Sequence, residues 1–284
     1  MRMPAASALL VLLACFGSGA SAQDLPAGRR VSLPGVELFV RDTGGGGTPI
    51  ILLHANTGIS ESWANQFPAF ARAGYRVIAF DRRFWGGSAG SPSTGPQPGS
   101  IAGDLDALAT ALDLPPFDIV AVAGGGFAAL DYLAWHPERV RRAVIAASSG
   151  LLSDPDFMAF AKRIDIPALS AGPASDLELS ASYRGSNPEG TARWSVIEAH
   201  AHQLGAPSQP LHTPNTVAKL EQIATPVLVI AADADLLAPP AFIRLWAAHL
   251  QHHEWALIEE AGHSVAWEQP DSFNRLVLDF LAKP

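Results

Sequence analysis

Short apolar runs alternate with amphipathic segments along most of this chain. The strand-like runs are residues 36–40, 49–54, 76–80, 118–122, 142–147, 226–231 and 254–258. Segments with apolar residues at helical spacing lie at 60–73, 101–112, 127–136, 240–250 and from about 267 to 281. Such alternation builds a mostly parallel sheet with helices on both faces. The pattern therefore predicts a doubly wound α/β fold.

The alternation weakens between about residues 151 and 223. Prolines, serines and short helical pieces such as 192–203 replace it there, and the strand pattern resumes at residue 226. A chain of 284 residues is within the range of a single large α/β domain. We therefore expect one folded unit in which residues 151–223 form a helical cap inserted above the sheet.

The N-terminus has the features of an export signal. Arg2 precedes the apolar run 8–14, and small residues then end in Ala20-Ser21-Ala22. This arrangement is typical of a secretory signal peptide, here residues 1–22. The apolar run falls far short of the roughly 20 residues that cross a bilayer, so stable membrane insertion is not expected. The mature chain, 23–284, is predicted to be periplasmic or secreted.

Cys15 is the only cysteine in the sequence. Leu12-Leu13-Ala14-Cys15 is also an alternative lipoprotein cleavage box, which would tether the chain to a membrane through Cys15. The good cleavage site downstream favours the secretory signal instead. Removal of residues 1–22 leaves no thiol, which excludes disulfides, thiolate metal sites and a cysteine nucleophile. The formal net charge of −8, without any basic run, argues against a nucleic-acid partner.

Several short motifs with catalytic associations follow one another in a fixed order. They are Leu52-Leu53-His54-Ala55-Asn56, Asp81-Arg82-Arg83-Phe84-Trp85-Gly86, the turn Gly124-Gly125-Gly126 followed by His136-Pro137-Glu138-Arg139-Val140, Asp233-Ala234-Asp235, and Gly262-His263-Ser264. Together they resemble the α/β-hydrolase superfamily, and the resemblance covers nearly all of residues 31–284. It implies a catalytic triad in the order nucleophile, acid, base.

The nucleophile position is where this chain departs from the family pattern. The family elbow reads Gly-x-Ser-x-Gly, whereas this chain reads Ala121-Val122-Ala123-Gly124-Gly125. Counting back from the His-Pro-Glu-Arg-Val motif places Ala123 in the serine position. A methyl group cannot attack a carbonyl, and loss of the serine from a working triad costs on the order of 10⁶ in turnover. The usual acyl-enzyme route is therefore closed.

The resemblance assigns the remaining catalytic roles to four residues. His263 is the expected base and Asp235 the acid that orients it, with Asp233 as an alternative acid. The oxyanion site would use the backbone N–H groups of Gly124 and Asn56. The plain alternatives are a surface loop histidine, an aspartate at a helix start, and an asparagine in a turn.

Other chemistries fit this sequence less well. Gly124-x-Gly126-x-x-Ala129 superficially matches a dinucleotide fingerprint, but no acidic residue ends the next strand. Glu198, His200 and His202 invite a metal interpretation, yet His-x-His on a helix points the rings about 200° apart. Neither a metal nor another cofactor is expected. Ser148 and Ser149 are candidates for a displaced hydroxyl, although a structural role is favoured.

Three hypotheses remain for the function of this site. In the first, His263 acts as a general base on water or on an acidic substrate proton, as in cofactor-free lyases and oxygenases of this fold. In the second, the chain is a binding protein that has lost turnover. In the third, a serine has been replaced at Ala123, and the natural activity is ester or lactone hydrolysis.

Aromatic residues suggest a small, largely apolar organic substrate. Trp85 is expected near the mouth of the pocket, and the predicted cap contributes Phe157, Phe160, Tyr183 and Trp194. Three arginines of the same region, Arg163, Arg184 and Arg193, are expected to be ordinary surface residues rather than carboxylate ligands.

Overall fold

A computed structural model describes residues 25–90, 99–165, 167 and 171–284. The predicted signal peptide, its cleavage site and Cys15 lie outside the described residues. Among the helices that are described, none has the length and apolar character needed to cross a membrane.

Nine strands of the described residues form one sheet. They are β1 (Gly28–Leu33), β2 (Val36–Asp42), β3 (Pro49–Leu53), β4 (Arg76–Phe80), β5 (Ala89–Gly90), β6 (Phe117–Val122), β7 (Val140–Ala146), β8 (Val227–Ala232) and β9 (His253–Ile258). The order is β1-β2-β4-β3-β6-β7-β8-β9, and β5 pairs with β2. All neighbours from β4 to β9 run parallel, whereas β2 is antiparallel to β1, β4 and β5. The predicted, mostly parallel sheet is confirmed.

Helices of the described residues cover both faces of this sheet. They are α1 (Gln66–Arg72), α2 (Ile101–Ala111), α3 (Gly124–Trp135), α4 (Pro155–Ile164), α5 (Ser175–Glu178), α6 (Ala181–Ser186), α7 (Pro188–Ala199), α8 (Val217–Leu220), α9 (Pro240–Ala247), α10 (Val265–Glu268) and α11 (Pro270–Leu281). Alternate residues of β3 divide between two cores. Ile51 and Leu53 join the cluster under α2, α3 and α9, while Ile50 and Leu52 join the cluster under α1 and α11.

Several helix boundaries differ from the sequence-based prediction. The segment 60–73 is divided into a short 3₁₀ turn at Ser60–Trp63 and then α1. The last helix is interrupted before Pro270, which has no N–H to donate to the preceding turn. The predicted helical piece 192–203 is wrong at both ends, because α7 begins at Pro188, where the Asn187 side chain caps it, and ends at Ala199.

Helices α4 to α8 stand between β7 and β8 in the chain. Within this inserted segment, Leu179, Trp194 and Ile197 pack with Trp267 of α10 as a small apolar cluster separate from the two main cores. The inserted helices therefore lie against the end of the sheet from which the loops after β3, β8 and β9 emerge.

Candidate active site

The turn from β6 into α3 is centred on Ala123. This residue has φ 49° and ψ −118°, a backbone conformation that residues other than glycine rarely adopt. Its N–H donates to the carbonyl of Ala146 at 2.9 Å, and its carbonyl accepts from the Ser148 hydroxyl at 2.8 Å. Backbone strain of this kind costs about 1–3 kcal/mol and is characteristic of functional sites.

The three glycines after Ala123 are required by close packing. A Cβ on Gly125 would overlap the carbonyl of Leu53 at the end of β3, and one on Gly126 would lie 2.5 Å from Ser148 Oγ. A Cβ on Gly124 would overlap the side-chain amide of Asn56. Only glycine lets the start of α3 come this close to β3 and its following loop.

His263 and Asp235 form a buried pair at the carboxyl edge of the sheet. Nδ1 of His263 lies 2.9 Å from Oδ2 and 3.0 Å from Oδ1 of Asp235. The Oδ1 atom also accepts backbone N–H groups from Leu237 and Ala238, each at 2.8 Å, which fixes the carboxylate. Asp233, the alternative acid, is exposed. Asp235 is therefore the carboxylate that orients the imidazole.

Three carboxylates act together on His263. Burial lowers the pKa of the imidazole, but Asp235, Glu178 and Glu268 outweigh that effect and raise it to about 9. Burial by itself would raise the pKa of Asp235, yet the charge and hydrogen bond of His263 hold it below its ordinary value. The pair is therefore an imidazolium–carboxylate ion pair at neutral pH.

Glu178 and Glu268 hold the loop that carries His263. Glu178, at the end of α5, accepts the Thr57 hydroxyl at 3.1 Å and the Ser264 hydroxyl at 3.2 Å. Glu268 accepts the N–H of Gly262 at 3.0 Å and that of Ser180 at 2.9 Å. Burial raises the pKa of both carboxyl groups. The inserted helices thus contribute directly to the electrostatics of the site.

His263 faces a small apolar cavity of about 40 Å³. Its walls include Val122, the residue before Ala123, and the indoles of Trp63, Trp194 and Trp267. Trp194 comes from α7, and its Nε1 donates to the Ser264 hydroxyl at 3.0 Å. The imidazole therefore faces a mostly apolar space.

The loop after β3 also borders a second cavity, of about 490 Å³. Ala55 and Thr57 line the small cavity, whereas Asn56 lines the large one. Within the described residues, the backbone N–H groups of Asn56 and Gly124 donate to no protein acceptor. The two predicted oxyanion donors are therefore available, and they lie together because the Asn56 side chain packs on Gly124.

Trp85 is hydrogen-bonded to the loop after β3. Its Nε1 donates to the Asn56 carbonyl at 2.8 Å, and its ring lies 4.3 Å from that of His202. The side chain is 9% exposed and lines the large cavity. It therefore holds the backbone that carries a predicted oxyanion donor, and it faces the large cavity rather than the one that His263 lines.

Other residues singled out in the sequence lie away from His263. Phe157 and Phe160 pack towards Phe242 and line a separate surface cavity. His200 and His202 both follow the end of α7, and no cluster of three metal-ligating side chains occurs among the described residues. The Ser148 hydroxyl is committed to the Ala123 carbonyl.

Sequence reasoning missed three charged residues of the site: Arg82, Glu178 and Glu268. Arg82 stood within a recognised motif, but nothing in the motif indicates that it is 3% exposed. Glu178 has no motif around it, and Glu268 follows His263 by five positions in a helix that reads as an ordinary amphipathic segment. The only signal available was a glutamate within an otherwise apolar context.

Comparison with known proteins identifies the family. The model for the alpha/beta hydrolase fold matches residues 48–270, so the chain belongs to that family. The chain is 30% identical over 275 residues to the 2-hydroxy-6-oxononadienedioate/2-hydroxy-6-oxononatrienedioate hydrolase of Paraburkholderia phymatum. The alignment covers 88% of this chain and 93% of that protein.

Solved structures show the same fold. The enol-lactonase from Burkholderia xenovorans matches with a TM-score of 0.73 at 22% identity, covering 90% of this chain and 100% of that one. The bromoperoxidase from Bacillus anthracis matches with a TM-score of 0.70 at 23% identity and the same coverage. Proteins similar to this chain are therefore named as hydrolases and as peroxidases.

Proposed function

We propose that this protein is a cofactor-independent enzyme in which His263, oriented by Asp235, transfers protons on a small organic carbonyl substrate without a serine nucleophile. The observation that carries the proposal is the buried His263–Asp235 ion pair, which faces an apolar cavity beside a strained elbow. An oriented, desolvated imidazole is of no use to a protein that only packs or binds.

In the proposed reaction, neutral His263 accepts a proton from water or from an acidic C–H of the substrate. The N–H groups of Asn56 and Gly124 stabilise the negative charge that develops on the carbonyl oxygen. The imidazolium, held by Asp235, then returns the proton to the leaving group or to the product carbanion, and the site is restored. The outcome is hydrolysis or a lyase-type cleavage.

The raised pKa of His263, about 9, fixes the pH dependence. About one site in a hundred has a neutral imidazole at pH 7, two pH units below the pKa. Turnover that depends on the base therefore rises about tenfold per pH unit from pH 6 and levels off near pH 9. A rate that is flat or falls across this range would contradict a basic role for His263.

The experiment compares the wild-type protein with His263→Ala and Asp235→Asn on a panel of esters, lactones and 1,3- and 1,5-diketones. His263→Ala is expected to abolish turnover. Asp235→Asn is expected to lower kcat by about 10⁴ with little change in KM, because it disturbs the tautomer and the stabilisation of the cation. Asp233→Asn, an exposed neighbour, is the control. Parental turnover by His263→Ala would exclude the proposal.

The missing hydroxyl at Ala123 favours a second candidate, a non-catalytic binding protein. The same panel separates the two functions, because a binding protein retains ligands without turning any of them over. Ala123→Ser tests the ester or lactone hydrolase hypothesis. Weak esterase activity and labelling by a fluorophosphonate probe in this variant alone would show that the elbow still presents a nucleophile correctly.

A further inference from the structure

Among the residues that the structure describes, Arg82 is a buried cation without a counter-ion. Its side chain is 3% exposed, and Nη2 donates only to neutral oxygens, Asn56 Oδ1 at 3.0 Å and the Ala55 carbonyl at 3.3 Å. Within the described residues, Nε and Nη1 donate to no protein acceptor, and no carboxylate lies within ion-pair distance. Burying a charge without a partner is costly, so this arrangement requires an explanation.

The neighbouring arginine shows how this chain compensates a buried guanidinium elsewhere. Arg83 donates from Nη2 to Asp104 Oδ1 at 2.6 Å and from Nε to Oδ2 at 3.1 Å, a two-pronged ion pair. Arg82 has no equivalent of Asp104. Burial lowers its pKa to about 9, and no acidic side chain opposes that effect.

The protein holds Arg82 in this position by several contacts. Its backbone N–H donates to Nε2 of His54 at 3.0 Å, and burial together with the Arg82 charge lowers the pKa of that histidine, which keeps it neutral as an acceptor. The guanidinium carbon lies 4.3 Å from the ring centre of Trp85. A long arginine side chain usually extends its charged end into solvent, whereas these contacts keep the Arg82 guanidinium inside the protein.

Arg82 lines the cavity of about 490 Å³, which is large enough for a small organic molecule. Of the described residues that line it, Ile101, Phe127 and Leu151 are apolar, and none is acidic. His202, which is exposed, lines the same cavity. The cavity therefore combines apolar walls with one fixed positive charge.

Asn56 connects this charge to the candidate catalytic site. Its Oδ1 accepts from Arg82, while the same carboxamide packs on Gly124, the residue that follows Ala123. A planar anion bound by Arg82 would lie close to the Asn56 and Gly124 N–H groups. The Asn56 side chain thus bridges the Arg82 guanidinium and the backbone of Gly124.

We propose that Arg82, with Asn56, is the carboxylate subsite of this protein, and that its substrate is a small organic acid with an apolar body and a reactive carbonyl near Gly124. The guanidinium offers the unpaired N–H groups that suit a planar carboxylate. The assignment of the carbonyl rests on the proposed function, whereas the carboxylate subsite is tested by binding alone.

The test measures binding of four carboxylates and their matched primary amides by calorimetry at pH 7: acetate, crotonate, benzoate and phenylacetate. At least one carboxylate is expected to bind the wild-type protein about tenfold or more tightly than its amide. Arg82→Gln, which keeps an amide donor for Asn56, and Arg82→Met are both expected to remove this preference. Arg72→Met, an exposed arginine of α1, is the control and is expected to retain it.

Both Arg82 variants are expected to fold, because the substitution removes an uncompensated buried charge, and the thermal unfolding midpoint checks this directly. Equal binding of acids and amides by the wild-type protein would overturn the proposal, as would a preference that survives in either Arg82 variant. His263→Ala is expected to keep the preference. A protein without general-base activity would thus still show the carboxylate preference. The activity assay tests the proposed function, and the binding assay tests the carboxylate subsite.

Discussion

His263 lies within a larger negative field than one aspartate provides. Asp235 is its direct partner, and the charges of Glu178 and Glu268 raise the imidazole pKa further. Glu178 comes from the inserted helices and is bound to both Thr57 and Ser264 at the walls of the small cavity. The inserted helices therefore contribute to the proton affinity of the proposed base.

Glu178→Gln is expected to lower the pKa of His263 below about 9. Glutamine keeps an oxygen acceptor for Thr57 and Ser264 but removes a charge that stabilises the imidazolium. The rising limb of the pH–rate profile should move to lower pH, and the imidazole resonances of His263 should titrate earlier by nuclear magnetic resonance. Glu189→Gln, an exposed change on α7, is the control. An unchanged His263 titration in Glu178→Gln would contradict this electrostatic account.

The sequence predicted the residues whose roles depend on position in a motif, and missed those whose roles depend on burial. His263 and Asp235 were identified because their spacing and glycine context are local, and the structure brings them to 2.9 Å. Arg82 and Glu178 look like ordinary charged residues in the sequence. Their roles depend on packing between segments far apart in the chain, and local sequence patterns carry no information about such packing.

At the scale of elements, the β6–α3 turn keeps a nucleophile-type conformation without a nucleophile. Ala123 retains φ 49°, and the adjacent glycines retain their close approach to β3. Ala123 also keeps its backbone hydrogen bonds to β7 and the loop after it. The strain is therefore a property of the whole strand–turn–helix unit and is maintained by its neighbours.

Ala123→Gly is expected to stabilise the protein by about 1 kcal/mol, because glycine adopts a positive φ without the Cβ penalty. An alanine at an ordinary helical position should show the reverse, and Ala192→Gly in α7 is the matched control, with an expected loss of about 1 kcal/mol. Urea unfolding followed by circular dichroism measures both. A loss at position 123 as large as that at 192 would show that the elbow is unstrained.

The central elements were predictable and the peripheral ones were not. Strands β3 and β8 are continuous apolar runs, and β4 and β6 are apolar apart from Arg76 and Asp118, because helices bury both faces of these strands. In contrast, β1 is an exposed edge strand with the sequence Gly-Arg-Arg-Val-Ser-Leu, and its pairing with β2 left little hydrophobic signal. Helix α7 was misplaced because its ends depend on a cap at Asn187 and on packing against α10.

For the whole molecule, export remains a prediction from the sequence. The motif Ala20-Ser21-Ala22 predicts cleavage before Gln23, so the mature protein should be recovered from the periplasm or the medium with Gln23 as its first residue. N-terminal sequencing of the exported protein measures this. A lipid-modified N-terminus at Cys15 would instead favour the lipoprotein alternative, and an intact N-terminus would exclude both.

One buried histidine gives stability and activity opposite pH dependences. The folded-state pKa of His263, about 9, lies above the value near 6.5 expected for the unfolded chain, so protonation favours the folded state. The contribution, on the order of 3 kcal/mol, is complete below pH 6.5 and is lost as the pH rises through 9.

We therefore expect the free energy of unfolding to fall between pH 6.5 and 9.5 while turnover rises over the same range. His263→Gln, which carries no titrating group, should show a clearly smaller loss of stability across this interval. Urea unfolding of both proteins at the two pH values measures the difference. A variant that loses as much stability as the wild-type protein would mean that the loss comes from general repulsion in an acidic chain. The imidazolium at position 263 would then have no special share in the stability of the fold.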